Sequence, residues 1–283
     1  MKHLKFSLIS TLIVSFCLSL ATAYAQQEMA TTINLAGKQR MLTQKMSKEI
    51  LLIAKGVNVV GNKTNLGKTA ALFDRTLKGL LNGDKGLGLV KTENPAIVRQ
   101  LKKVEKLWGK FRNDVKAVLA GNTSTAVLEK VARRNLPLLR EMNKAVKMYE
   151  KASGSSLAPK MAVTINLAGK QRMLTQKMTK ELLLVANGIK PKINRTNLKK
   201  TVSLFNRTLR GLLDGDAGLG LPGTTDAAIR AQLNKVNRLW NKYKPLLTKS
   251  NVSQGDLVKA AKLNMPLLKE MNKAVHMYAK SAK

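Results

Sequence analysis

The chain has 283 residues, with 51 Lys+Arg against 16 Asp+Glu and a formal net charge of +35. Apolar residues at 44% are enough for a core, which excludes a disordered chain, and the length accommodates one large or two medium domains. One cysteine, Cys17, excludes a disulfide framework and a Cys-based metal cluster. Two histidines, His3 and His276, leave no set for a His-based metal site or a Ser-His or Cys-His catalytic pair. No enzymatic activity and no cofactor are expected.

Residues 1–25 have the organisation of a signal peptide. Lys2 and Lys5 form a basic start, Phe6–Leu20 is apolar, and Ala23-Tyr24-Ala25 is an A-x-A cleavage site. The apolar run is short for a bilayer span of about 20 residues. Cleavage after Ala25 yields a cysteine-free protein that is periplasmic or secreted.

The remainder is a duplication. Ile33–Met46 reads INLAGKQRMLTQKM, and Ile165–Met178 reads the same. The same offset aligns Phe73 with Phe205, Gly83 with Gly215 and Trp108 with Trp240; a slightly shorter one aligns Pro137 with Pro266 and Tyr149 with Tyr278. A repeat of this length is a duplicated domain rather than a solenoid unit. The first copy spans 26–151 and the second 161–283, joined by a polar linker at 152–160. Both copies are basic.

Each copy reads as four helices, with no sustained period-2 alternation that would mark strands. In the first copy they cover about 30–56, 64–81, 95–119 and 124–149. Asn82-Gly83 ends the second, Pro95 opens the third, Gly121 ends it, and Pro137 lies inside the fourth, where a kink is expected. Short loops between long amphipathic helices predict an all-α chain of two tandem up-down four-helix bundles.

The first helix has two faces. Leu35, Leu42, Met46 and Ile53 form the stripe expected to enter the bundle core. Opposite them, Ile33, Gly37, Arg40, Gln44, Ser47 and Leu51 follow heptad spacing. A glycine inside a helix costs about 1 kcal/mol relative to alanine, and close backbone approach is its usual return. This second face is therefore read as a helix–helix seam outside the bundle, with Lys38, Lys45 and Lys48 on its flank. Arg40 at its centre needs a counter-charge, and no acidic residue lies on the seam. A small anion clamped between the guanidinium groups of two such seams would supply it.

The INLAGKQRMLTQKM motif resembles the signature of the type IV pili methyl-accepting chemotaxis transducer N-terminal domain family. It is also similar to the motif of periplasmic nitrate/nitrite sensor domains, which are four-helix bundles in which the first helices of two subunits pair and an Arg from each grips one nitrate. The resemblance implies a small-anion site, nitrate- or nitrite-like. Its Gly falls on Gly37 and Gly169 and its Arg on Arg40 and Arg172. A second basic position falls on Lys45 and Lys177, where the sensors carry Arg. Gln44 and Gln176 complete the candidate set. Where those sensors have a basic residue two before the Gly, this sequence has Leu35 and Leu167. The expectation is of two sensor heads with no output region, with a membrane receptor or a pilus or chemotaxis component as partner.

Other features have simpler readings. Asn82–Gly86 and Asp214–Gly218 read as helix-ending turns. Trp108 and Trp240 read as core, as do the repeated Glu-Met-Asn-Lys-Ala-Val stretches starting at Glu141 and Glu270. Glu49 and Glu181 are expected to pair with a basic residue of a neighbouring helix. The net charge supports an alternative function, a basic structural or adhesive protein that binds surface polyanions or anionic membrane. Because the linker spans at most about 30 Å, the two bundles can lie side by side, pointing the same way. An intramolecular pseudo-dimer with Arg40 near Arg172 is expected, with a homodimer as the other way to pair the seams.

Overall fold

The computed structural model describes the backbone of residues 2–155 and 158–282, and the side chains of 26–154 and 158–282. Its eight α-helices are α1 (Lys2–Ala54), α2 (Val59–Asn82), α3 (Pro95–Leu119), α4 (Thr125–Ala152), α5 (Pro159–Ala186), α6 (Pro191–Asp214), α7 (Ala227–Thr248) and α8 (Gln254–Lys280). Helices α1–α4 form one bundle and α5–α8 the other. In each, the first helix packs on the second and the fourth, and the third packs on the same two. Among the described residues, no helix is long and apolar enough to cross a membrane.

Helix boundaries follow local chemistry. The side chain of Asn94 accepts from the backbone N–H groups of Ala96 and Ile97 ahead of Pro95, and Asp226 caps α7 in the same way. Ser253 and Asp256 form a reciprocal capping box at α8. Gly83 (φ 86°) and Gly215 (φ 97°) end α2 and α6 in backbone conformations that a side chain would strain. Asp84 then accepts from the Leu87 N–H and pairs with both Nε and Nη2 of Arg75, at 2.8 and 3.0 Å; Asp216 and Arg207 repeat the arrangement. These turns spend their carboxylates on an arginine and a backbone donor.

The helices run longer than the sequence reading. α1 starts at Lys2 rather than near residue 30, since neither Gly nor Pro occurs before Gly37 to stop it. Cleavage after Ala25 concerns side chains outside the described residues. α2 begins at Val59 rather than 64, because the Asn62 amide donates to the Val57 and Asn58 carbonyls and seals the turn from α1. α4 and α8 continue through Pro137 and Pro266.

Each core centres on an aromatic pair. Phe73 and Trp108 pack at a tilt with centroids 4.6 Å apart, and Phe205 and Trp240 do the same at 4.5 Å. The Trp108 indole donates to Asp74 and that of Trp240 to Asn206, so neither buried N–H is left without an acceptor.

The two bundles meet along α1 and α5. This explains why α1 is covered on both faces. Leu42 and Met46 lie in the first bundle's core, while Ile33, Arg40, Gln44, Ser47 and Leu51 are no more than 1% exposed on the other side. Leu35, assigned to the core stripe, is only partly buried. The seams pair within the chain, in parallel. Lys48 of α1 reaches Asn264 at the level of Gln176 and Thr179 of α5, and Lys180 of α5 reaches Asn135 at the level of Gln44.

Candidate anion-binding site

Arg40 and Arg172 face one another across the α1–α5 contact. Gly37 and Gly169 make this possible. A Cβ at Gly37 would lie 3.3 Å from Arg40 Nη2 and 3.6 Å from Arg172 Nη2; at Gly169 the distances are 3.4 Å to Arg172 and 3.6 Å to Arg40. The space a side chain would occupy is therefore filled by the guanidinium groups of both repeats. Each arginine is held the same way. Arg40 Nη1 donates to Asn143 Oδ1 of its own α4 at 2.9 Å, and Nη2 crosses to the Asn166 carbonyl at 3.1 Å. Arg172 Nη1 donates to Asn272 Oδ1 of α8 at 2.9 Å, and Nη2 crosses to the Asn34 carbonyl at 2.9 Å. The Nε of each is buried without an acceptor.

The electrostatics are costly. Burial lowers the Arg40 pKa to about 10, with Glu150 pulling the other way. Burial and then the positive Arg40 lower Arg172 to about 9. Two such cations, whose Nη2 atoms both lie within 3.6 Å of one point, repel by a few kcal/mol at an effective dielectric of about 20. Lys38 and Lys170 flank the pair, and both are lowered, first by burial and then by the arginine of the other repeat, Arg172 and Arg40 respectively. The site thus has an excess of buried positive charge and, at each Nε, a donor without an acceptor.

Of the residues singled out in the sequence, Gly37, Arg40, Gly169 and Arg172 converge here. Gln44 and Gln176 lie a turn further along, each donating to an asparagine, Asn135 Oδ1 at 3.0 Å and Asn264 Oδ1 at 2.8 Å. Lys45 and Lys177 do not join the pair. They bind Glu49 and Glu181 on their own helices and donate to Thr69 of α2 and Thr201 of α6 at 2.7 Å. Glu49 and Glu181 therefore find their cation on their own helix rather than on a neighbour, since the i,i+4 spacing puts Lys and Glu on one face.

Lys48, read as flanking, and its counterpart Lys180 are both buried. Each crosses to the other repeat, Lys48 Nζ to Asn264 Oδ1 and Lys180 Nζ to Asn135 Oδ1, both at 3.0 Å. Burial lowers both to about 8. The sequence signals for these asparagines were the repeated Asn-x-Pro at 135–137 and 264–266, and for Asn143 and Asn272 the repeated Glu-Met-Asn stretches. Neither pattern reveals a polar role on its own, because the partners lie on other helices. The surroundings of the arginines also break symmetry. Glu150, bound by the Asn166 amide, corresponds to Ala279, and Lys147 corresponds to His276.

The family described as type IV pili methyl-accepting chemotaxis transducer N-term matches residues 22–133 and 155–264. The chain belongs to this family. As a tandem member of the transducer N-terminal family, it is similar to the methyl-accepting chemotaxis protein McpN of Pseudomonas aeruginosa. The two are 31% identical over 139 residues, which is 49% of this chain and 25% of McpN. The putative methyl-accepting chemotaxis protein AlkN of Alcanivorax borkumensis is 23% identical over 235 residues, 82% of this chain and 32% of AlkN. The chain thus spans a third or less of these curated relatives. A solved ligand-binding domain of the nitrate receptor McpN is 30% identical, with a TM-score of 0.39, covering 44% of this chain and 96% of that domain.

Two outcomes test the geometry. Leu at position 37 or 169 must displace the guanidinium pair, so Gly37→Leu and Gly169→Leu should each cost about 1–3 kcal/mol of stability in denaturant unfolding; unchanged midpoints would show that the seam is not packed as described. For the lysine layer, the folded pKa is depressed, so the unfolded chain holds more protons between the folded value of about 8 and the ordinary 10.5. Stability from these groups is complete above 10.5 and lost as pH falls toward 8. Native protein should gain melting temperature relative to a Lys48→Met, Lys180→Met variant from pH 8 to 10, where Gln44 and Gln176 still serve the asparagines. A gap that does not change with pH would contradict the burial.

Proposed function

We propose that the chain is a non-enzymatic sensor-type protein, exported to the periplasm, that binds one small inorganic anion between Arg40 and Arg172. The observation that carries this reading is the facing pair of buried guanidinium groups, each with an Nε lacking an acceptor, held between two glycines of the same chain. Nitrate or nitrite heads the candidates. The planar fork of an arginine matches a planar oxyanion, and the relative McpN is described as a nitrate receptor. The second guanidinium, supplied in a dimer by another subunit, comes here from the second repeat. Ligand binding tightens the α1–α5 seam, and a membrane-bound chemotaxis or pilus component reads the tightened state.

A thermal-shift and calorimetric titration with nitrate, nitrite, chloride and sulfate tests the reading. At a hundredfold excess over Kd, the bound anion should add about 2.7 kcal/mol of stability. Arg40→Ala and Arg172→Ala should each abolish the shift; anion binding that survives both substitutions sinks the shared site.

The site is also expected to respond to pH. Burial raises the pKa of Glu150, against the pull of Asn166, Arg40 and Lys147. Burial, then Arg172, Lys38 and Lys280, lower that of His276. Acidification therefore neutralises the one and protonates the other, and both changes favour an incoming anion. Nitrate affinity should rise from pH 8 to 5, and Glu150→Gln should strengthen binding at pH 8 and flatten the profile. A native profile that is flat, or that falls on acidification, would contradict this.

A further inference from the structure

A groove of about 470 Å³ lies beside the α1–α5 seam, between α4, α5 and α6. That volume is in the range of about 300–1,000 Å³ typical of small-molecule sites. Its floor is apolar, made by Leu136, Leu139, Met173 and Leu204. Arg140, Lys170, Lys177 and Lys200 stand around it with the neutral Asn143 and Thr201, and no acidic residue lines it. Glu141 holds Arg140 and Glu181 holds Lys177, which leaves Lys170 and Lys200 to meet an incoming charge.

Two further observations bear on the occupant. Leu136 is 50% exposed, and its counterpart in the other repeat, Met265, is 43% exposed. An apolar side chain is thus kept at the surface in both copies, next to a proline. The neighbouring positions keep their chemistry as well, with Leu268 for Leu139, Lys269 for Arg140, Lys68 for Lys200 and Leu72 for Leu204. A solvated face would have no reason to conserve an exposed leucine-type side chain beside cations through the divergence of two copies.

We propose that this groove is a second ligand site, for a free medium-chain carboxylate of about eight to ten carbons, its tail on the Leu136–Leu204 floor and its head between Lys170 and Lys200. Charge complementarity selects an anion, the leucine floor selects an aliphatic chain, and the volume admits one chain rather than a two-tailed lipid. Asn143 forms part of the wall, and its Oδ1 is the acceptor of Arg40 Nη1. An occupant here therefore lies beside the residue that orients one of the paired arginines. The proposal does not depend on what the arginine pair binds.

The test is a calorimetric titration of the protein with monomeric decanoate, octanoate, acetate and octan-1-ol. Decanoate should bind about five- to fifteenfold tighter than octanoate, as two more buried methylenes require, and acetate and octan-1-ol should bind far more weakly. Leu136→Asp and Lys200→Glu lie at exposed positions and should each weaken decanoate about tenfold without changing the melting temperature. Arg40→Ala should leave decanoate affinity within about twofold. Acetate binding as tightly as decanoate, decanoate binding unchanged in both groove variants, decanoate binding lost on Arg40→Ala alone, or binding to anionic lipid vesicles but not to monomeric decanoate would each overturn it.

Discussion

The structure depends on two guanidinium groups held in a helix–helix contact from which water is excluded. Burying one such cation costs several kcal/mol after relaxation, and burying two together adds their repulsion. Much of the surrounding arrangement offsets that cost. Gly37 and Gly169 make the space, Asn143 and Asn272 orient one nitrogen of each arginine, and the carbonyls of Asn166 and Asn34 receive another across the seam. The compensation is incomplete, because hydrogen bonds to neutral oxygens do not cancel charge. The lowered pKa of both arginines expresses that shortfall.

Having both halves in one chain changes the physics of the pairing. Two separate subunits would associate only at sufficient concentration, whereas a short linker holds the second helix at an effective concentration in the millimolar range. A duplicated gene is also free to break the symmetry that a homodimer must keep. It has done so where it matters, with Glu150 and Lys147 on one side of the arginines and Ala279 and His276 on the other. The half-buried carboxylate of Glu150 lends Arg40 a compensating field that Arg172 lacks, so the two arginines are not equivalent.

A turn further along, the same seam is fastened differently. Asn135 and Asn264 each accept from a glutamine of their own repeat and a buried lysine of the other, while donating to the carbonyls of Thr43 and Thr175. Each asparagine thereby joins α1 and α5 to the fourth helix of a bundle. Movement at the arginine pair cannot leave α4 and α8 unaffected, since those helices hold the arginines through Asn143 and Asn272 and the lysines through Asn135 and Asn264.

The sequence by itself determined the duplication, the helical class, the four-helix plan of each copy and the faces of the first helix. All of these rest on local periodicity and on self-similarity within the chain, which need no knowledge of distant contacts. It also marked Gly37, Arg40, Gly169 and Arg172, because a glycine one turn from an arginine on a heptad-spaced seam is costly unless something approaches closely. Lys45 and Lys48 could not be told apart in this way. They are neighbours on one helix, and only the tertiary structure decided that the first turns to Glu49 and Thr69 while the second is buried against Asn264 of the other repeat. The same holds for Asn135, Asn143, Glu150 and His276, whose partners lie on other helices or in the other repeat. A periodic pattern specifies which face of a helix is covered; it does not specify what covers it, and burial against a particular partner is what gives a polar side chain its role.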